Sequence, residues 1–266
     1  PPLKEGGPAS TTRITHSDLL HAMFKTTRRV VSDARLPTSW TKMGTMKWPD
    51  TMTYSKEGTE HEPFFRIGEL EKNLKTDEQK LAFWINIYNA YIQVILSENP
   101  KKYEDRQSFF KAEQLPIAGE LVSFAKIEHG IIRKSQWELG LGYVRKWFPD
   151  DFERKLRVEN TDYRIHFALN CGAKDCPPVA IYNPKRLEEQ LKENTKNYLK
   201  KTSTYNDKDK EVKVTSLFNW FRGDFGGKDG VLDILNQQKI IPTTNGIDID
   251  YKDYDWTLDL DNWTTL

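Results

Sequence analysis

Apolar stretches that hold only a few polar residues alternate along this chain with charged, amphipathic stretches. The longest uncharged stretch is LAFWINIYNAYIQVILS, residues 81–97, which follows a capping Thr76 or Asp77 and precedes Pro100. It is slightly short for a membrane span, so it predicts a buried helix that begins at Thr76 or Asp77 and ends by Pro100. Leucines at helical spacing predict two further helices, in RIGELEKNL and in NPKRLEEQLKENTKNYLKK.

Shorter segments carry the patterns of strands, turns and short helices. DYRIHFALNC, residues 162–171, holds β-branched and aromatic residues between charged flanks, which predicts a buried strand. Alternating segments predict two hairpins, TSTYNDKDKEVKVTS at 202–216 and GIDIDYKDYDWTLDL at 246–260. Helical spacing and capping residues predict short helices within 15–33, 125–140, 216–227 and 229–238.

Together these elements predict an α+β fold, a helix-rich single domain around a small antiparallel sheet. Residues 1–12 are rich in Pro, Gly, Ser and Thr and are expected to form a flexible tail. The remaining residues, 13–266, show no repeat at a fixed period and no clear linker, so they are predicted to form the one domain.

The overall charge is nearly balanced, with 40 basic and 39 acidic side chains in 266 residues and a formal net charge of +1. Such a balance gives no reason to expect a nucleic acid as partner. The 13 Phe, 11 Tyr and 8 Trp residues can fill a large core, and they also leave enough rings to line a groove.

Three amides interrupt the long apolar stretch, because Asn86, Asn89 and Gln93 fall on one stripe of the predicted helix. A buried amide costs about 1–3 kcal/mol when no hydrogen bond satisfies it. The stripe therefore has two interpretations. Either the amides tie loops to the central helix, or Asn86, Asn89 and nearby Trp84 face a polar pocket and bind a substrate.

IEHGIIR, residues 127–133, places Glu128 and His129 side by side among apolar residues. A carboxylate beside an imidazole can fix its tautomer and raise its basicity. Adjacent side chains on a helix point about 100° apart, however. Glu128 can then pair with Arg133 instead, and the segment can be a packing turn.

Both cysteines, Cys171 and Cys176, lie in HFALNCGAKDCPP. Three interpretations of the pair compete. A disulfide would close a short loop and add on the order of 2 kcal/mol to the stability. A zinc site would need two further ligands, and the histidines are scattered along the chain. In the third interpretation Cys171 lies in a turn at the rim of a sheet, where its thiolate is accessible and backbone N–H groups are close by.

A thiol hydrolase or transferase built on that turn gives each candidate a role. Cys171 is the nucleophile, His129 is its general base, and His166 is the alternative base. Glu128 or Asn170 orients the base. This hypothesis expects two free thiols, one of them unusually reactive, and a histidine ring nitrogen within about 5 Å of the Cys171 sulfur.

Four blocks, LAFWINIYNAY, IEHGIIR, RIHFALNCGAKDCPP and WFRGDFGG, closely resemble those of the domain-of-unknown-function family 547. They occur in the same order and cover residues from about 70 to 237. The resemblance implies bacterial, plant and nematode relatives, some with glutaredoxin or leucine-zipper segments beside the domain, and no established activity. The sequence keeps the family's pattern at these candidates: Asn86, Asn89, Glu128, His129, His166, Asn170, Cys171 and Cys176.

The sequence thus predicts a thiol-dependent hydrolase or transferase of amide or thioester bonds, with a peptide-like or small-molecule substrate. The alternative is a non-catalytic module that binds a peptide or glycan and holds a structural Cys171–Cys176 disulfide. Neither hypothesis calls for a metal, a cofactor, a nucleic acid or a membrane span. Bacterial relatives of this length are often exported and the sequence begins with PPLKEGG rather than methionine. We therefore expect a removed signal peptide and a periplasmic or extracellular location, with the cytoplasm as the alternative.

Overall fold

A computed structural model of the protein describes residues 67–266. The predicted tail at 1–12 and the predicted helix at 15–33 lie outside these residues. The α-helices are α1 (Ile67–Asn73), α2 (Asp77–Glu98), α3 (Arg106–Lys111), α4 (Asp151–Leu156), α5 (Leu187–Thr202), α6 (Leu217–Trp220) and α7 (Gly227–Gln237). A π-helical segment, Lys126–Ile132, and 3₁₀ turns at Pro100–Tyr103, Glu138–Gly140 and Tyr163–Phe167 lie between them.

The strands are short and form two small sheets. Strands β1 (Leu115–Ile117) and β2 (Glu120–Val122) form an antiparallel hairpin. Strand β4 (Glu211–Val214) pairs antiparallel with β3 (Thr204–Asn206) and parallel with β5 (Asp248–Tyr251). The predicted α+β class, with many helices and a small antiparallel sheet, is confirmed, as is the hairpin within 202–216.

Helix α2 is the most deeply buried element of the described structure. Its N-terminus is a capping box, in which the Gln79 N–H donates to Thr76 Oγ1 (3.3 Å) and Gln79 Oε1 accepts from the Thr76 N–H (3.1 Å). Every residue from Lys80 to Val94 is buried. No helix within residues 67–266 is apolar over a length sufficient to cross a membrane. The prediction of a buried helix in this stretch is confirmed.

Two amides of α2 bind the backbone of neighbouring loops. Asn86 Nδ2 donates to the Tyr182 carbonyl (2.8 Å), and Asn86 Oδ1 accepts from the Tyr182 N–H (2.9 Å). Asn89 does the same for a second loop, since its Nδ2 donates to the Ala168 carbonyl (2.9 Å) and its Oδ1 accepts from the Asn170 N–H (2.9 Å). Each amide side chain thus pairs with backbone N–H and C=O groups of a buried loop, as a neighbouring strand does in a sheet. This arrangement agrees with the first interpretation of the amide stripe.

The predicted strand at 162–171 is wrong, because Tyr163–Phe167 forms a 3₁₀ turn. Asp162 begins the turn by accepting a hydrogen bond from the Arg164 N–H (2.9 Å), and the Arg164 guanidinium bridges Asp162 to Glu188 of α5. A segment buried on all sides shows no alternation of apolar and polar residues, so its sequence pattern does not distinguish a strand from a helix. The cap at Asp162 favours the turn.

The predicted second hairpin, at 246–260, is also wrong. Only Asp248–Tyr251 forms a strand there, and its partner is β4. The chain after β5, residues 252–266, is here called the C-terminal segment. It runs along the cysteine segment, residues 171–176, where the Lys174 N–H donates to the Thr257 carbonyl (2.8 Å) and the Asp259 N–H donates to the Gly172 carbonyl (2.8 Å). Alternation in that part of the sequence reflects pairing with a distant loop. The C-terminal segment thereby supports the candidate site.

Candidate functional site

A cavity of about 280 Å³ lies between the π-helical segment, the 3₁₀ turn at Tyr163–Phe167, the cysteine segment and the C-terminal segment. Its walls bring together Glu128, His129, His166, Cys171 and Cys176. The other lining residues include six aromatic side chains, Tyr88, Phe110, Trp220, Phe221, Tyr254 and Trp256, together with charged and aliphatic ones. The cavity therefore unites the glutamate–histidine pair with the cysteine turn, as expected if these sequence blocks form one site.

Four of the predicted site residues do not line this cavity. Trp84, Asn86 and Asn89 are buried within the core side of α2. Asn170 is also fully buried, where its Oδ1 accepts from the Gly172 N–H (2.8 Å) and its Nδ2 donates to the Pro177 carbonyl (2.8 Å). Asn170 therefore shapes the cysteine turn and does not orient His129. The second interpretation of the amide stripe, with substrate contacts from Trp84, Asn86 and Asn89, does not agree with these positions.

The two cysteines are joined in a disulfide, with their Cα atoms 6.3 Å apart. Cys176 is buried and its Sγ accepts hydrogen bonds from the Cys171 N–H (3.1 Å) and the Tyr254 hydroxyl (3.3 Å). Cys171 is half-buried and is the more accessible of the pair. The structure therefore holds the bonded state that the binding-module hypothesis predicted, and Cys171 can act as a nucleophile only after this bond is reduced.

A buried ion cluster lies behind the cavity wall. Asp224 Oδ2 accepts hydrogen bonds from Arg133 Nε (2.6 Å) and from His166 Nε2 (2.7 Å), and all three side chains are at most 7% exposed. Burial by itself raises the pKa of Asp224, but the hydrogen bonds from His166 and Arg133 hold it below the ordinary value. Asp224 is thus an anion, so the proton of His166 lies on Nε2. Nδ1 of His166 has no hydrogen-bond partner within residues 67–266.

A tight approach between two loops positions Asp224. The Gly223 N–H donates to the Leu141 carbonyl (2.8 Å), and the Asp224 N–H donates to the Phe221 carbonyl (2.9 Å). Gly142 adopts φ +89°, and a Cβ atom there would meet Asp224 Oδ1 at 2.5 Å. A glycine is therefore required at position 142 to let this backbone approach the carboxylate.

His129 is held on the other side of Arg133. The Nη1 of Arg133 donates to His129 Nδ1 (2.6 Å), which must present its lone pair, because an arginine in a protein stays protonated. Burial, and then the positive charge of Arg133, lower the pKa of His129 to about 3. His129 is therefore neutral with its proton on Nε2. With its lone pair already bound by Arg133 and its pKa lowered, His129 does not suit the role of general base that the sequence predicted. Its remaining N–H makes it a hydrogen-bond donor.

Glu128 faces the cavity as a largely desolvated acid. Burial raises its pKa above the ordinary value, and its Oε2 accepts a hydrogen bond from the Tyr88 hydroxyl (3.3 Å). Its other oxygen is 3.9 Å from His129 Nδ1, too far for a hydrogen bond that would orient the ring. The predicted role of Glu128 as the orienting group is therefore not supported by this geometry, since Arg133 orients His129.

The sequence interpretation missed Asp224 as a site residue and considered Arg133 only as a partner of Glu128. Both residues lie within the four blocks quoted above, Arg133 at the end of IEHGIIR and Asp224 within WFRGDFGG. The available signal was a charged residue flanked by residues suited to a core. A buried arginine requires a carboxylate, and the second block supplies one.

The neutral state of His129 predicts a pH dependence of stability. In the unfolded chain the ring takes up a proton near its ordinary pKa of 6.5, whereas the folded value is about 3. The unfolded state therefore binds more protons below pH 6.5, and stability is lost as the pH falls. For His129→Gln, we expect the loss of unfolding free energy between pH 7 and pH 5 to be smaller than in the wild type by about 2 kcal/mol.

Urea melts of both proteins at pH 7, 6 and 5 measure this difference. His166, whose pKa burial also lowers, contributes in the same direction in both proteins and so cancels in the comparison. Equal losses of unfolding free energy in the two proteins would show that His129 is not held neutral by the fold.

Aromatic rings complete the cavity. Phe221 stacks on His166 with ring centroids 4.0 Å apart, and the Arg133 guanidinium lies 4.7 Å from the centre of the Phe221 ring. Elsewhere on the cavity wall, Trp220, Tyr254 and Trp256 pack together, with centroid distances of 4.8–5.4 Å. These rings reduce the access of water to the cavity.

The fold and the site together define an α+β protein with a polar cluster set in an aromatic cavity beside a cysteine pair. Within residues 67–266, no group of His, Cys, Asp and Glu side chains is arranged to hold a metal ion. Residues 72–199 match the family described as "Protein of unknown function, DUF547". This match confirms the resemblance to the domain-of-unknown-function family 547 that the sequence blocks indicated; the fourth block, at 220–227, lies outside the matched residues. No curated protein and no solved structure matches the chain.

Proposed function

We propose that the protein is a thiol-dependent hydrolase or transferase of amide or thioester bonds that acts once its disulfide is reduced. One observation carries the proposal. Cys171 lines the same cavity as His166, whose Nε2 is bound to the buried Asp224 and whose Nδ1 has no partner in the described part of the chain. A nucleophile, a base and a group that orients the base are the parts that thiol catalysis needs.

The reaction starts from the reduced pair. A dithiol reductant supplies two electrons, becomes a disulfide itself and leaves Cys171 and Cys176 as thiols. His166 Nδ1 then takes the proton of Cys171, and the thiolate attacks the carbonyl carbon of the substrate. Collapse of the tetrahedral intermediate expels an amine or a thiol, which takes the proton back from His166 and leaves the acyl group on Cys171. Water or another nucleophile, deprotonated by His166, then releases the acyl group.

His129 has a separate role in this proposal. Its Nε2–H has no hydrogen-bond partner within residues 67–266, and the ring lines the cavity. A neutral imidazole that donates a hydrogen bond can polarise a carbonyl and stabilise the oxyanion that forms from it. The Cys171 backbone N–H, which donates to Cys176 Sγ in the disulfide, becomes a second donor when the bond opens. His129 is thus the electrophilic group, and His166 is the base.

The second candidate is a non-catalytic module that binds a peptide or glycan. The disulfide itself favours it, because bonded cysteines cannot attack a substrate. The packed rings of Trp220, Tyr254 and Trp256 would provide the binding wall. This candidate requires ligand binding in the oxidised protein and no covalent intermediate after reduction.

Intact-mass measurement of acylated protein tests the proposal. The protein is incubated with activated acyl thioesters, with and without dithiothreitol, and the adduct is located by peptide mapping. We expect one acyl group on Cys171 in the reduced protein and none in the oxidised protein, because only the thiolate attacks. Cys171→Ser should form no adduct at this position.

Cys176→Ser provides the matched variant, since it leaves Cys171 without a disulfide partner. This variant should be acylated on Cys171 without dithiothreitol. Absence of any adduct from both the reduced wild type and Cys176→Ser would exclude the thiol mechanism and leave the binding module.

A further inference from the structure

The wall of the cavity holds a cation that has no anionic partner among residues 67–266. The charged residues on this wall, apart from the histidines, are Arg106, Lys111, Glu128 and Glu138. Lys111 and Glu138 form an ion pair (3.2 Å), and burial pushes Glu128 towards its neutral form. The Arg106 side chain makes no ion pair and no hydrogen bond with any residue from 67 to 266. Among the described charged residues of this wall, its guanidinium is therefore the group left without an ion pair or hydrogen bond.

Two aromatic rings fix the position of this guanidinium. Its central carbon lies 4.8 Å from the ring centre of Trp256 and 5.4 Å from that of Tyr103. Arg106 is also the first residue of α3, whose N-cap Asp105 accepts a hydrogen bond from the Ser108 N–H (3.1 Å). A guanidinium packed on ring faces keeps its N–H edge free for a planar, two-oxygen ligand. Holding it in place beforehand reduces the entropy lost when a ligand binds.

The same rings connect the guanidinium to the cysteines. Trp256 packs on Tyr254 with centroids 4.8 Å apart, and the Tyr254 hydroxyl donates to Cys176 Sγ (3.3 Å). The rings of Trp256 and Tyr254 thus form a chain of contacts between Arg106 and the Cys176 sulfur, which is bonded to Cys171. A ligand that reaches both ends needs an anionic group, an apolar spacer and a carbonyl group.

We propose that Arg106 is a specificity-determining residue that binds a carboxylate of the substrate, so that the site takes acyl compounds or peptides carrying a free carboxylate. The assignment of that carboxylate to an acyl substrate rests on the proposed function. Binding of a carboxylate by Arg106 does not depend on the proposed function, because Arg106 lines the cavity in the oxidised protein as well. The carboxylate has two sources, the acyl chain of a dicarboxylic acid or the C-terminus of a peptide.

The first test measures binding to the oxidised protein by calorimetry. The probes are short acetylated peptides with free or amidated C-termini, and glutaric acid with its monomethyl and dimethyl esters. We expect the forms with a free carboxylate to bind about 10–100-fold more tightly than the neutral forms, the range of a charge-assisted hydrogen-bonded pair. The probe series, peptide or glutaric acid, that shows the larger preference for a free carboxylate identifies the source of the carboxylate.

Three variants make the test specific to this side chain. Arg106→Gln should remove the preference for a carboxylate, and Arg106→Lys should restore part of it as a point charge. Lys102→Gln is the matched control, because it removes one positive charge from the neighbouring 3₁₀ turn at a residue that does not line the cavity. It should keep the preference. No preference in the wild type, or a preference that survives Arg106→Gln, would overturn the proposal.

Acylation of the reduced protein distinguishes the two proposals. Succinyl and butyryl thioesters have the same chain length and differ in the terminal carboxylate, so we expect the succinyl compound to react about 10–100-fold faster in the wild type and equally fast in Arg106→Gln. Acylation with no charge preference would contradict the role of Arg106 and leave the thiol mechanism standing. A carboxylate preference in binding, with no acylation of either compound, would contradict the thiol mechanism and leave the role of Arg106 standing.

Discussion

Replacing His166 with glutamine is expected to lower the rate of Cys171 acylation in the reduced protein by about 10²–10⁴-fold, the usual contribution of a positioned base. The glutamine amide can still donate a hydrogen bond to Asp224, so the buried carboxylate keeps a partner. What is lost is the nitrogen that takes the proton from the thiol. Stopped-flow or quenched acylation kinetics with an activated thioester measure the change.

His129→Ala is the informative comparison for this variant. It removes the Nε2–H donor to the oxyanion but leaves the proposed base, so acylation should fall while alkylation by iodoacetamide, which forms no oxyanion, should be nearly unchanged. His166→Gln should instead slow both reactions, because both need the thiolate. If the two variants affected both reactions equally, the separate roles assigned to the histidines would be wrong.

Trp84→Ala is expected to lower the free energy of unfolding by about 3–5 kcal/mol. The indole is fully buried in α2 and packs edge-on against Phe83 (5.0 Å) and Phe152 of α4 (6.1 Å). Removing it leaves a cavity between the central helix and α4 that neighbouring side chains cannot fill. Chemical denaturation monitored by circular dichroism gives the change.

The matched variant is Trp84→Phe. Trp84 Nε1 has no hydrogen-bond partner among residues 67–266, so the phenylalanine removes an unsatisfied buried donor and keeps most of the ring volume. We therefore expect it to cost far less than the alanine. A loss below about 1 kcal/mol for Trp84→Ala would contradict the placement of this ring in the core.

The fold could be predicted where local signals and burial agree. Helix α2 has a capping threonine, an apolar body and a following proline, and it forms as expected. The segment 162–171 has no such agreement, because a run buried on all sides suits a strand or a 3₁₀ turn equally. The parallel pairing of β5 with β4 depends on contacts distant in sequence, which alternation within one segment does not encode.

The candidate site could be predicted as a set of blocks but not as a set of roles. Glu128, His129, His166 and Cys171 do line one cavity. Which histidine is basic depends on which one Arg133 touches, and that contact is set by tertiary packing. A single-sequence pattern gives residue types and spacing, whereas the protonation of a ring follows from its neighbours in space.

The pH dependence of Cys171 alkylation tests the central claim most directly. Cys176→Ser leaves Cys171 as the only thiol of the chain, so iodoacetamide reports on this sulfur alone. A base held by Asp224 should lower the thiol pKa below its ordinary value of about 8.5, and adding His166→Gln should return the profile towards that value. A profile that titrates near the ordinary value in both proteins, and does not respond to His166, would contradict catalysis by this thiol.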